Sequence, residues 1–177
     1  PLYKLKITIN GKESITEFGI RKVDILEIDD NFNPEYKAKA EKLKKNPHLL
    51  ENDRNEKTSS FWLVINGVRI FCQGGNWVPC DPFVSEETDE KIKSLVQSAH
   101  ECGCNMLRVW GGGFFESRHF YSECDRLGIL VTQDFLMACG NYPEDEPWFI
   151  SQLTAEAEHA ALFLRNHPCL VWWTGDN

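Results

Sequence analysis

Several things are scarce in this chain, and each scarcity narrows what it does. No apolar run approaches the roughly 20 residues that a membrane-spanning helix needs. The opening stretch PLYKLKITI has no signal-peptide core and starts on a strand-like alternation, as a chain cut from a longer one would. Basic residues are outnumbered: 19 Lys and Arg against 27 Asp and Glu leave a net charge of −8, the wrong sign for a nucleic-acid footprint. Cysteine occurs seven times, at 72, 80, 102, 104, 124, 139 and 169. The odd, spread-out set does not make a disulfide scaffold. Cys102 and Cys104 have no second pair at zinc-ligand spacing, so reduced, mostly buried thiols are expected, with no metal and no other cofactor. Neither G-x-G-x-x-G nor G-x-x-x-x-G-K-[ST] is present, and RVWGGGFFES, the one Gly-rich turn after a strand, has no acidic ribose partner about 20 residues on.

What the chain does have is aromatic weight and alternating periodicity. Six Trp within a 12% aromatic content fit either an aromatic core or a surface for flat apolar faces such as sugar rings. Tyr3, Leu5, Ile7 and Ile9 alternate up to Asn10-Gly11, a hairpin signal, and a second alternation runs through Ile15, Phe18, Ile20, Val23 and Ile25. Residues 29–60 are crowded with charges of both signs and read as a solvated insertion or linker, with a helical turn set at 35–45. FWLVINGVRIF is a second hairpin. The period then switches to 3.6. Ile92, Leu95, Val96 and Ala99 stripe one helix, capped by Thr88 and stopped by Gly103. Phe120, Tyr121, Cys124 and Leu127 stripe a second, stopped by Gly128. A third starts at Pro147 and ends before Pro168. Between them lie apolar strands at 70–74, 105–110, 129–134 and 169–174. Their continuous apolarity predicts a parallel α/β sheet covered on both faces, either doubly wound or part of a (β/α)₈ barrel.

In both architectures function gathers at the carboxyl tips of the strands. Those tips carry Gly74, Gly75, Asn76 and Trp77, followed by Pro79 and Asp81; Arg108 and Trp110; Gln133 and Asp134; Asp176 and Asn177. An inward-facing Arg108 needs a carboxylate partner, for which Asp134 and Asp176 both qualify. It either ties strands together or touches a ligand, and the two roles are compatible. The triple glycine after Trp110 lets the backbone turn sharply beneath that bulky ring. His100, His119 and His159 fall on helices away from the tips, and His167 falls in the turn before the last strand.

The stretches FCQGGNWVPCDPF, NMLRVWGGGFFESRHFYSECDRLGILVTQDF and RNHPCLVWWTGDN, in this order and spacing, resemble the β-mannosidase branch of glycoside hydrolase family 2. That resemblance implies three regions: residues 1–28 as terminal strands of an immunoglobulin-like β-sandwich, 29–60 as a charged insertion, and 61–177 as the first four βα units of a TIM barrel. It implies a retaining exo-acting β-glycosidase whose two carboxyl groups lie about 5 Å apart. It places the acid/base Glu directly after Asn177 and the nucleophile on the seventh strand, so neither is in this chain, and the 177 residues alone are expected to be inactive. It gives Asn177 a hydrogen bond to the sugar 2-hydroxyl, makes Trp110 a wall of the sugar subsite, and has Arg108 order the carboxylates from below. Asn76, Trp77 and Asp81 line the pocket, with Asp134 in the substrate-binding set. Asp176 stands where many relatives carry Asn. The implied partners are a β-mannoside or related oligosaccharide and the remainder of the parent chain, or a second copy of the fragment by self-association. An exo-β-glucosaminidase or an endo-β-mannosidase shares much of the pattern. A non-catalytic α/β binding module is the reading from another class.

Overall fold

A computed structural model of the chain describes residues 2–29 and 59–177. It divides into two compact units, Pro1–Arg21 with Cys72–Asn177, and Lys22–Phe71.

The first unit opens with a hairpin of β1 (Leu2–Ile9) and β2 (Lys12–Gly19), paired antiparallel from Leu2↔Gly19 to Ile9↔Lys12. Asn10 and Gly11 both take positive φ, 49° and 76°, the backbone of a tight primed hairpin turn. The hairpin buries little of itself: Tyr3, Leu5, Ile7, Ile9 and Ile15 are exposed. Its end is tied to the rest of its unit by Arg21, whose guanidinium donates to the carbonyls of Pro168, at 2.6 Å, and Leu170.

The second unit is an antiparallel sheet in the order β3-β4-β5, of β3 (Val23–Asp29), β4 (Ser59–Ile65) and β5 (Val68–Ile70). The second alternation therefore splits. Its first half closes the hairpin, and its second half pairs with β4 across the charged segment. The segment expected at 29–60 gives up its ends to this pairing, Asp29↔Ser59 and Ile28↔Ser60. The helical turn set expected at 35–45 lies outside the described residues. Asn66 turns β4 into β5 and holds Lys22 through its side-chain oxygen at 2.7 Å.

The remainder of the first unit alternates strand and helix: β6 (Gly74–Trp77), α1 (Asp89–Glu101), β7 (Met106–Val109), α2 (Arg118–Leu127), β8 (Leu130–Asp134), α3 (Pro147–Leu164) and β9 (Leu170–Thr174). The four strands are parallel and lie in sequence order. Thr88 caps α1 by accepting from the Lys91 amide, and Gly128 ends α2 at φ 75°, as the capping residues predict. Trp77, Leu107, Val109 and Val131 on one face of the sheet pack against Ile92 and Val96 of α1, Phe120, Tyr121 and Cys124 of α2 and Leu164 of α3. Burying each large apolar side chain of that layer contributes about 1.5–3 kcal/mol.

Four expectations are corrected here. The first parallel strand is Gly74–Trp77 rather than 70–74. It must come close to β7, because a Cβ on Gly74 would lie 1.7 Å from the Met106 carbonyl oxygen. Among the described residues of this unit the sheet is covered on one face, not two. Burial alternates along β7 and β8, and Met106, Arg108 and Thr132 stay half-buried on the other face. Leu95, assigned to the inward stripe of α1, is exposed, because the buried contacts fall on Ile92 and Val96 alone. All seven cysteines are free, but only Cys124 and Cys169 are buried, while Cys72, Cys102 and Cys139 are exposed.

Candidate active-site pocket

The open face of the parallel sheet is where polar groups converge. Adjacent strands in register place Asn76, Arg108 and Thr132 side by side. Two residues further along β8, on the same face, stands Asp134. Arg108 is the hub. Its Nε donates to Asp134 Oδ1 at 3.1 Å and its Nη2 to Oδ2 at 2.6 Å, a two-point fork. The same Nη2 donates to Asn177 Oδ1 at 2.8 Å, and Nη1 reaches Asn76 Oδ1 at 3.4 Å. Asp134 is fully buried and accepts a third bond, 3.1 Å, from the Gly111 amide. Its charge is thereby paired and hydrogen-bonded, which a buried carboxylate requires. The planar guanidinium suits this fork as a lysine ammonium would not. Of the two partners proposed for Arg108, the structure selects Asp134.

Asn177 is held by more than the arginine. Its amide donates to the Met137 carbonyl at 3.0 Å, and its side-chain nitrogen faces Cys139 Sγ at 3.7 Å. The loop after β8 thus supports the residue that follows β9. Beside this cluster a cavity of about 360 Å³ is lined by Cys72, Gly74, Gly75, Asn76, Met106, Arg108 and Thr132.

Asn76, Arg108, Asp134 and Asn177 therefore come together from four different strands or strand ends. Trp110 stands just beyond β7, half-buried, with its amide bonded to the Trp77 carbonyl at 3.0 Å. Its ring lies over Gly112, where a Cβ would come within 2.1 Å of it.

The other expected site residues lie elsewhere. Trp77 does not line the pocket. Alternation along β6 sends it to the covered face, where it is 8% exposed and lies tilted against Phe120 at 4.7 Å between ring centroids. Asp81 also stays apart from the cluster. It accepts from the Phe83 amide and pairs with Lys91 of α1 at 2.6 Å, and the Lys91 hydrogen bond holds its carboxyl below the usual range. Gln133 is fully buried under α2, accepting from the Tyr121 hydroxyl at 2.6 Å. His167 faces Asp125 at 2.6 Å, and Asp125 also accepts from the Cys169 amide. That triplet ties α2 to the start of β9.

One residue of consequence is not singled out by the sequence. Glu116 ends the Gly-rich loop and is 2% exposed. Its Oε1 accepts from Trp77 Nε1 at 2.9 Å, while Oε2 is buried with no hydrogen-bond partner. Burial pushes its carboxyl up to about 7, helped by the Glu87 carboxylate and opposed by the Trp77 and Ser117 N–H groups. The available signal is a carboxylate after two phenylalanines and directly before the N-cap Ser117.

An α/β sheet with polar side chains gathered at the carboxyl ends of its parallel strands belongs to the class that binds ligands at strand tips. Relatives narrow the class. The chain is 41% identical over 124 residues to the β-mannosidase of Capra hircus, an alignment covering 70% of this chain and 14% of that protein. It is 41% identical to β-mannosidase B of Emericella nidulans over 181 residues, covering 99% of this chain and 18% of the other. The crystal structure of β-D-mannosidase from Dictyoglomus thermophilum superposes with a TM-score of 0.78 at 36% identity, covering 99% of this chain and 19% of that one. No family model matches. The chain belongs to the β-mannosidase branch of glycoside hydrolase family 2. It spans less than a fifth of the length of these relatives.

Proposed function

We propose that the chain forms the first four βα units of the (β/α)₈ barrel of a retaining, exo-acting β-mannosidase and carries part of its sugar pocket. In this proposal residues 1–28 are the last strands of an immunoglobulin-like β-sandwich, 29–60 are an insertion, and 61–177 are the first half of the barrel domain. The observation that carries the reading is the Arg108 hub, which brings Asp134, Asn76 and Asn177 to neighbouring strand tips.

That geometry supports the chemistry expected of a retaining β-mannosidase. Removal of a terminal β-linked mannose passes through an oxocarbenium-like transition state. Hydrogen bonds to the sugar 2-hydroxyl strengthen as charge develops there. Asn177 supplies that contact: Arg108 fixes its oxygen, one N–H of its amide is directed at Cys139, and the other is assigned to the sugar. Trp110 offers a flat apolar wall to the ring. Asp134 holds the guanidinium in place and does no proton transfer. The two carboxyl groups that cleave the bond, about 5 Å apart in a retaining enzyme, are assigned outside these 177 residues. The acid/base Glu is placed after Asn177 and the nucleophile on the seventh strand.

The test is hydrolysis of an aryl β-mannoside. A longer chain that continues past Asn177 through both carboxylates turns the substrate over, and the 177 residues alone do not. Turnover by the 177-residue chain overturns the assignment of catalysis. Preference of the longer chain for an aryl β-glucosaminide overturns the choice of sugar.

A further inference from the structure

The loop from Trp110 to Glu116 connects β7 to α2 and carries the proposed sugar wall. Three of its residues, Gly111 to Gly113, have no side chain with which to hold a conformation. Its start is fixed by two backbone bonds, Trp110 to the Trp77 carbonyl and Gly111 to the Asp134 carboxylate. Its middle makes a turn through Gly113 N to Trp110 O at 3.1 Å. Phe115 adds an edge contact to Phe135. At its end the Glu116 carboxyl reaches back to the indole N–H of Trp77, the same residue whose carbonyl receives Trp110. Below the loop the Tyr121 hydroxyl donates to Gln133, and Gln133 donates to the Asp134 carbonyl. Glu116 thus ties the end of the loop to Trp77 on β6, the same residue that anchors its start.

A buried carboxyl with one unpartnered oxygen is a costly way to fill space, and an apolar side chain would pack there more cheaply. What the carboxyl supplies is an acceptor for the Trp77 N–H at the point where the glycine loop must close. We infer that Glu116 is a positioning residue. It closes the 110–116 loop against Trp77 and so sets the attitude of the Trp110 ring toward the sugar. The second half of this inference rests on the proposed role of Trp110 in sugar binding. The first half, closure of the loop, does not.

Two measurements on the full-length enzyme that carries this chain separate the halves. The first is amide hydrogen exchange in wild type, Glu116→Ala, Glu116→Gln and Trp77→Phe. Gln keeps an acceptor for the indole N–H, Ala removes it, and Phe removes the donor. Glu116→Ala and Trp77→Phe should speed exchange of the Trp110, Gly111 and Gly113 amides about tenfold or more, the scale of one lost buried hydrogen bond. Exchange in β9 should be unchanged, and Glu116→Gln should match wild type. Equal protection of the loop in all four proteins, or loosening spread equally over β9, overturns the positioning role. The second is steady-state hydrolysis of an aryl β-mannoside. Glu116→Ala should raise KM about tenfold with a smaller change in kcat, and Glu116→Gln should restore KM. Equal KM values overturn the link from Glu116 through Trp110 to the sugar. If the wild-type enzyme does not act on the mannoside at all, it is the proposed function that fails, and the exchange pattern still decides whether Glu116 closes the loop.

Discussion

Two side chains carry the sharpest residue-scale consequences, Arg108 and Glu116. Asp134 is fully buried and its carboxylate is neutralised by the Arg108 fork. Removing one partner of such a pair leaves an uncompensated buried charge, which costs about 3–5 kcal/mol. Arg108→Ala should therefore lower stability by about 3 kcal/mol, because water reaches the partly exposed guanidinium site and softens the penalty. Urea denaturation checks this, and a loss below about 1 kcal/mol, the size of a surface pair, would show that Asp134 does not depend on Arg108. Glu116 gives a pH dependence. Its folded-state value of about 7 lies above the ordinary 4.5. The native state therefore keeps this proton between those values while the unfolded chain releases it. Stability falls as pH rises from 4.5 towards 7 and levels off above that. Glu116→Gln cannot titrate and should remove this part of the slope. Urea midpoints at pH 5 and pH 8 would decide it, since an identical drop in both proteins is incompatible with Glu116 as the titrating group.

At the scale of elements, helix termini follow local chemistry closely enough to be tested one at a time. Thr88 accepts from the Lys91 amide at the start of α1, so Thr88→Ala should cost about 1 kcal/mol, read as a shift in the thermal midpoint. Gly112→Ala probes the loop instead. The added methyl would meet the Trp110 ring, so the ring must swing, and KM for an aryl mannoside should rise while the fold persists. These same elements show what was legible. Helices are visible through local signals: a stripe, a cap and a glycine stop for α1, a stripe and a glycine stop for α2, and a proline at each end for α3. The parallel strands at 106–109, 130–134 and 170–174 were visible as apolar runs between helices. The first strand differs from its expected position because the apolar residues lie in RIF, whereas Gly74–Trp77 is a strand through its pairing with β7. That pairing needs a glycine rather than a hydrophobe at 74. Arg108, Asp134, Asn76 and Asn177 are legible as tip residues, since a polar side chain at or just past the carboxyl end of a strand is informative on its own. Trp77 departs from the expectation because a one-residue offset along a strand moves a side chain to the opposite face. Glu116 is not legible because its one local mark, a carboxylate between two phenylalanines and an N-cap serine, does not tell a buried carboxyl from a solvated one.

At the scale of the whole chain, the question is what its uncovered apolar surfaces do. The hairpin exposes Tyr3, Leu5, Ile7, Ile9 and Ile15, and α3 exposes Trp148, Ile150 and Leu162. The sheet face beside the pocket keeps Met106 and Trp172 half-exposed. Monomeric proteins rarely leave contiguous apolar patches larger than a few hundred Å², and unpaired outer strands add backbone donors and acceptors. The net charge of −8 opposes association, but at physiological salt it is screened beyond about 8 Å, whereas contact between apolar faces is not. The 177-residue chain on its own should therefore self-associate as its concentration rises. Its apparent unfolding midpoint should rise with it, because binding between folded copies stabilises the folded state by mass action. Sedimentation velocity over a hundredfold range of concentration, with thermal unfolding at both ends, tests this. A single monomeric boundary with a sharp, concentration-independent transition would show that these faces are stable in water. It would return weight to the reading of the chain as a self-standing α/β binding module.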